Sequence, residues 1–226
     1  DWAVPKGIDQ KHPESIDLVN NCFIISCYER MSDIAHAMGR TRDAQDYTEK
    51  AEGMRPLIHA AFYDETTGTY ADGDQIDMAY PLLTDVVPED MREAMLDKLV
   101  HNIIVERNAR HSVGLVGVPI LYRALAKYDR DDVVMAYTDH DRSPGYGYML
   151  AQGASTVWEY WENEYPSSTH NCFNGFGAWF YRSVAGINPD PDRAGFKNII
   201  IAPKTVPGLD WAKARQITPH GPVEVH

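Results

Sequence analysis

Basic residues are in short supply: 21 lysines and arginines face 33 aspartates and glutamates, a formal net charge of −12 over 226 residues. Phosphate backbones and anionic lipid surfaces would be repelled at long range, which argues against nucleic acid or a membrane as partner. A neutral ligand such as a sugar feels little of that field. Cysteine is nearly missing, and Cys22, Cys27 and Cys172 form an odd set without metal-ligand spacing. Buried free thiols are expected rather than a disulfide framework. The nine histidines stand singly, so no metal site and no cofactor motif is read from the chain. No apolar run is long enough to span a bilayer, and the opening DWAVPKGIDQ lacks the basic and apolar regions of a signal peptide. Any targeting signal is expected upstream of residue 1, so cytoplasmic and secreted destinations both stay open.

What is present is ordinary for a globular chain, at 44% hydrophobic and 24% charged, enough for one large domain or one and a fraction. Residues 1–16 read as irregular, broken by Pro5, Gly7 and Pro13. From about Asp17, Ile24, Cys27, Tyr28, Met31, Ile34, Ala35 and Met38 keep the three-four spacing of a buried helical stripe, stopped at Gly39. Thr41 then caps a second helix with the stripe Ala44, Tyr47, Ala51, Met54, Ile58, Ala61, and so short a connection predicts an antiparallel helical hairpin. The acidic cluster Asp64, Glu65, Asp72 and Asp74 lacks the alternating ligands of a calcium loop and reads as turn chemistry before a helix near Asp74. Pro88 opens a further helix with Met91, Met95, Leu99 and Ile103 on one face. Gly114 and Gly117 in HSVGLVGVPILYRAL allow close backbone approach before a helix carrying Leu121, Tyr122 and Leu125. Short helices follow over 131–137 and 173–187. Beyond Ile187 the Pro/Asp run 188–192 stops the helix, and KNIIIAP, WAKARQIT and GPVEVH have the texture of strands. The chain is therefore read as mainly α over 1–187 and β-rich over 188–226.

The chemistry-bearing stretch is SPGYGYMLAQGASTVWEYWENEY, residues 143–165, with three glycines, clustered aromatics and Glu159 directly behind Trp158. Flat apolar faces can grip a sugar ring while one acid group acts on it. The same pattern also suits a turn-rich connector whose aromatics are ordinary packing and whose Glu159, Glu162 and Glu164 are a solvated face. Tyr146 and Tyr148, two apart, would point the same way if the stretch is extended.

GASTVWEYW, with SPGYGYML before it and WFYRSVAGI behind it, resembles the signature of bacterial α-L-rhamnosidases. DGDQIDMAYPL, HSVGLVGVPIL and the strands from Lys197 are similar to that family in the same order. The resemblance implies a partial (α/α) helical-hairpin toroid over 1–187, followed by the start of a β-sandwich. It implies inverting hydrolysis of a terminal α-L-rhamnose from a rhamnosylated glycan or glycoside, with Glu159 as general base and no metal or cofactor. It also implies Trp2, Trp158, Trp161 and His170 near the sugar, although Thr169 and Asn171 depart from the family's usual neighbours of that histidine. The family's general acid lies in an acidic motif upstream of the position that Asp1 and Trp2 resemble. The chain is accordingly expected to be the C-terminal part of an enzyme, inactive alone, and to recruit the missing part or self-associate. Two other readings stand beside this one: a non-catalytic carbohydrate-binding or assembly fragment, and another toroidal glycosidase or a polysaccharide lyase.

Overall fold

The computed structural model describes residues 1–8, 12–162, 167–171, 173–193 and 195–226, so that Cys172 and Glu164 lie outside the described residues. Helix α1 (Pro13–Ala37) begins four residues before the expected Asp17. Pro13, read from sequence as a breaker, sits in the first turn, where a missing N–H costs nothing. The buried face differs too: Leu18, Cys22 and Ile25 are sealed, while Ile24, Met31, Ile34 and Met38 are exposed. Apolar residues occupy more than one side of this helix, so the three-four rule is met by either face and only packing selects. Burial raises the Cys22 thiol to about 12, whereas Cys27, expected buried, is exposed.

Helix α2 (Thr41–Phe62) returns along α1 as expected, with Ala44, Ala51 and Ile58 buried at seven-residue intervals. Its N-cap is Arg40, and Thr41 is the first helical residue rather than the cap. A two-residue hairpin, β1 (Tyr63–Asp64) with β2 (Thr69–Tyr70), closes this pair. Its acidic residue has a turn role: Asp64 accepts from the Thr66 backbone N–H (2.8 Å) and hydroxyl (2.6 Å). Helix α3 (Gln75–Leu83) starts with Asp74 and Asp77 capping each other's backbone. After a 3-10 turn over Glu89–Met91, helix α4 (Arg92–His101) runs into a π-helical stretch, and Met95, Leu99 and Ile103 are buried.

Helices α5 (Gly117–Lys127), α6 (Asp131–Thr138), α7 (Tyr146–Ala151) and α8 (Gly175–Trp179) complete the helical part. Tyr146 and Tyr148 are thus helical, not an extended pair. α1 packs on α3, α3 on α5 and α5 on α8, while α2, α4 and α6 back the first three. This is an inner row of helices with an outer row behind it, a partial ring of hairpins. Trp179 Nε1 donates to Asp131 Oδ1 at 2.6 Å, both buried, and so ties α8 to the start of α6.

α8 runs on into a π-helical stretch, Phe180–Val184, so helical backbone ends at Val184 rather than at 187. Gly186 turns the chain at φ +67°, and a side chain there would meet the Ala202–Pro203 backbone at about 2.1 Å. The remainder is β-rich: β3 (Ile187–Pro189) pairs antiparallel with β4 (Ile199–Ile201), and β5 (Ala214–Thr218) with β6 (Gly221–Val225). No helix among the described residues is long and apolar enough to cross a membrane.

Candidate active site

Asp1 reaches the start of α5, where its carboxylate accepts backbone N–H bonds from Gly114 (2.8 Å), Val116 (2.9 Å) and Gly117 (3.0 Å). A helix start offers unpaired donors and a positive dipole end, which is why an aspartate seats there. The Trp2 carbonyl accepts from the Leu115 N–H at 2.8 Å. Gly114 is obligatory in this contact, because a Cβ would lie 1.9 Å from the Trp2 carbonyl oxygen. The close approach anticipated from the glycine spacing is therefore made by the chain's own first residues. The Trp2 indole is left 54% exposed, with its ring 6.1 Å from that of Tyr160.

Glu159 follows Trp158 on a short segment that pairs with residues 167–170. Its N–H donates to the Ser167 carbonyl (3.2 Å), the His170 N–H donates to the Val157 carbonyl (2.8 Å), and the Thr156 hydroxyl donates to the Ser168 carbonyl. This ladder joins Glu159, half-buried, and His170, exposed, in one piece of backbone. Trp2, through Tyr160, borders it. Three of the five residues singled out from sequence thus share a neighbourhood.

The other two lie beneath. Trp158 is buried, with its ring edge-on to Tyr148 at 6.5 Å. Trp161 is fully enclosed: His111 stacks at 4.4 Å and 19°, Phe173 at 4.0 Å and 17°, and Nε1 donates to the Val113 carbonyl at 2.9 Å. Its ring has no free face for a sugar. His111 in turn stacks on Tyr137 at 4.0 Å, and Gln75 of α3 grips the backbone on both sides of it, donating to the Arg110 carbonyl (3.0 Å) and accepting from the Ser112 N–H (2.9 Å). Gln75, His111 and Tyr160 were not selected from sequence as site residues. The only sequence signal for them was their place inside segments already noted.

Beside Asp1 opens a cavity of about 340 Å³ between the starts of α1 and α3, with apolar walls such as Ile16 and Phe23 and a polar side formed by Asp74, Asp77 and Ser15. Glu159 does not line it. Asp77 is fully buried; one oxygen accepts from the Ser15 hydroxyl (2.8 Å) and the Asp74 N–H (3.3 Å), while Oδ1 has no hydrogen-bond partner. Burial raises this carboxyl from 3.8 to about 7, and nearby Asp74 and Asp72 add repulsion. Asp74 is also raised by burial, opposed by Arg107, whose guanidinium is 3.0 Å away. Among the described residues, no group of three or more His, Cys, Asp or Glu is placed to hold a metal ion.

Residues 1–184 match the bacterial alpha-L-rhamnosidase 6 hairpin glycosidase domain, and residues 186–226 match the bacterial alpha-L-rhamnosidase C-terminal domain. An alpha-L-rhamnosidase of Streptomyces avermitilis is 27% identical over 234 residues, covering 99% of this chain and 22% of that protein. One from Alteromonas sp. is 25% identical, covering 100% and 26%. The solved alpha-L-rhamnosidase of Dictyoglumus thermophilum superposes with a TM-score of 0.86 at 29% identity, over 99% of this chain and 26% of that one. The Streptomyces avermitilis enzyme complexed with L-rhamnose gives a TM-score of 0.84 at 25% identity, over 97% and 22%. The chain spans about a quarter of the length of these relatives. With four-fifths of its residues matched to that hairpin domain, the chain belongs to the bacterial α-L-rhamnosidase six-hairpin glycosidase family.

Proposed function

We propose that the protein carrying this chain removes terminal α-L-rhamnose from glycosides or glycans with inversion, and that Glu159 is its general base. The observation that carries the reading is the ladder joining Glu159 to His170, with the exposed Trp2 ring bordering it through Tyr160. It is supported by the solved Streptomyces avermitilis relative, an alpha-L-rhamnosidase complexed with L-rhamnose. In the reaction, ionised Glu159 takes a proton from a water whose oxygen attacks the anomeric carbon. The glycosidic C–O bond breaks on the opposite face, and a second carboxyl protonates the leaving oxygen. Inverting sites hold the two carboxyls about 6.5–9.5 Å apart to admit that water. The acid partner is proposed to come from polypeptide outside residues 1–226. Trp2 and His170 are proposed to meet the sugar, Trp2 against its apolar edge and His170 by a hydrogen bond to a hydroxyl. Trp158 and Trp161 contribute to the sugar site from below, as its support.

The test is Glu159→Gln, assayed on an aryl α-L-rhamnoside in the intact protein. Turnover should fall about 10²–10⁴-fold with the fold unchanged by circular dichroism. Turnover within a few-fold of the parent would remove Glu159 from this role.

A further inference from the structure

Four rings from four separate segments stack into one column. Tyr137 at the end of α6 lies 4.0 Å from His111, His111 lies 4.4 Å from Trp161, and Trp161 lies 4.0 Å from Phe173, each pair within 19° of parallel. All four are essentially sealed from solvent. Tyr146 closes the side of the column, edge-on to both His111 (5.9 Å) and Trp161 (5.4 Å), and its hydroxyl donates to the Phe173 carbonyl at 2.7 Å.

Hydrogen bonds anchor His111 both at the peptides flanking it and at its ring edge. Gln75 holds the peptides on either side of His111, and the His111 Nε2 meets the Tyr122 hydroxyl at 2.9 Å. Burial holds this imidazole well below its ordinary value, so the ring is neutral and stacks without a charge to solvate. Two residues further on, the Val113 carbonyl receives the Trp161 indole N–H. The same short irregular segment, 111–113, therefore meets both the face and the edge of Trp161, and Trp161 is two residues from Glu159.

We propose that His111 is a positioning residue for Glu159, acting through the face of Trp161. Its flat ring is the fixed surface on which Trp161 seats, and Trp161 carries the segment that aims Glu159 at its water. The inference rests on the general-base reading of Glu159, but its structural half can be read without it. A carboxylate displaced by about 1 Å loses on the order of 100-fold in turnover.

The experiment compares His111→Ala with His111→Phe in the intact protein, using an aryl α-L-rhamnoside and 5-fluorotryptophan labelling, with the Trp161 line assigned from Trp161→Phe. The alanine variant should lower kcat about 30–100-fold with KM changed less than about threefold, because the loss falls on the reacting geometry and not on binding. Its Trp161 fluorine line should shift or split. Phenylalanine, which restores a flat face, should return kcat to within about fivefold of the parent and restore a single line. Should the alanine variant not fold, His111→Leu, which fills the space without a flat face, takes its place against His111→Phe. The proposal is overturned if the Trp161 line is unchanged on losing the ring, if KM rises as much as kcat falls, or if phenylalanine is as damaging as alanine. If the parent cleaves no rhamnoside, the general-base reading fails, and the fluorine line alone decides whether His111 seats Trp161.

Discussion

Asp77 is a buried carboxyl at the cavity wall, held on one oxygen and without a hydrogen-bond partner on the other. Because burial raises it to about 7, the folded state keeps a proton that the unfolded chain releases near 4. The stability this group contributes is complete below about pH 4, and it is lost as the pH rises through about 7. Asp77→Asn, a neutral mimic of the protonated form, should be no more stable than the parent at pH 5. At pH 8 it should gain on the parent by roughly 2–4 kcal/mol, read from urea unfolding at the two values. Equal differences at both would mean that the carboxyl is not buried as described. At this scale the sequence could nominate Glu159 as a candidate because it stands in a string of unusual residues. His111 and Gln75 were not, because a stacking partner 50 residues away and a grip on another segment's peptides leave no local spacing to read.

Among the elements, α2 and α1 show when a pattern speaks. In α2 polar residues separate most of the apolar ones, and Ala44, Ala51 and Ile58 of the expected stripe are buried while Ala61 at its end is exposed. In α1 the polar residues do not confine the apolar ones to one face; Leu18, Cys22 and Ile25 are buried, and of the expected stripe Ala35 is buried and Tyr28 partly so. The two glycine positions give opposite expectations. Gly53, inside α2 with nothing within 4 Å of where a Cβ would stand, should tolerate alanine, and Gly53→Ala should stabilise by about 0.5–1 kcal/mol in thermal unfolding. Gly114→Ala drives a methyl into the Trp2 carbonyl, an immovable backbone atom, and should cost about 1–3 kcal/mol. It should also release the Asp1–Trp2 segment, seen as a red shift in the emission of the indole as it gains water. An unshifted spectrum and unchanged stability would refute the contact.

Across the whole molecule, α1 and its C-cap carry Phe23 at 59%, Ile34 at 52% and Met38 at 67% exposure, more apolar surface than a solitary globular chain usually leaves to water. Residues 1–226 prepared alone should self-associate in light scattering at micromolar concentration, and Phe23→Ser with Ile34→Ser should reduce the apparent mass. A monomer indifferent to concentration would show that this face needs no cover. By itself the sequence determined the succession of helical hairpins, the passage to strands beyond the last helix, and the segment holding Glu159, because each rests on periodicity, on proline and glycine stops, or on a string of residues contiguous in the chain. Only the tertiary structure decided which side of α1 is buried, that Asp1 seats on the first turn of α5, and that Trp161 is a stacked core ring rather than an open sugar platform. These depend on contacts between residues far apart in sequence, where packing chooses among faces that local pattern leaves equivalent.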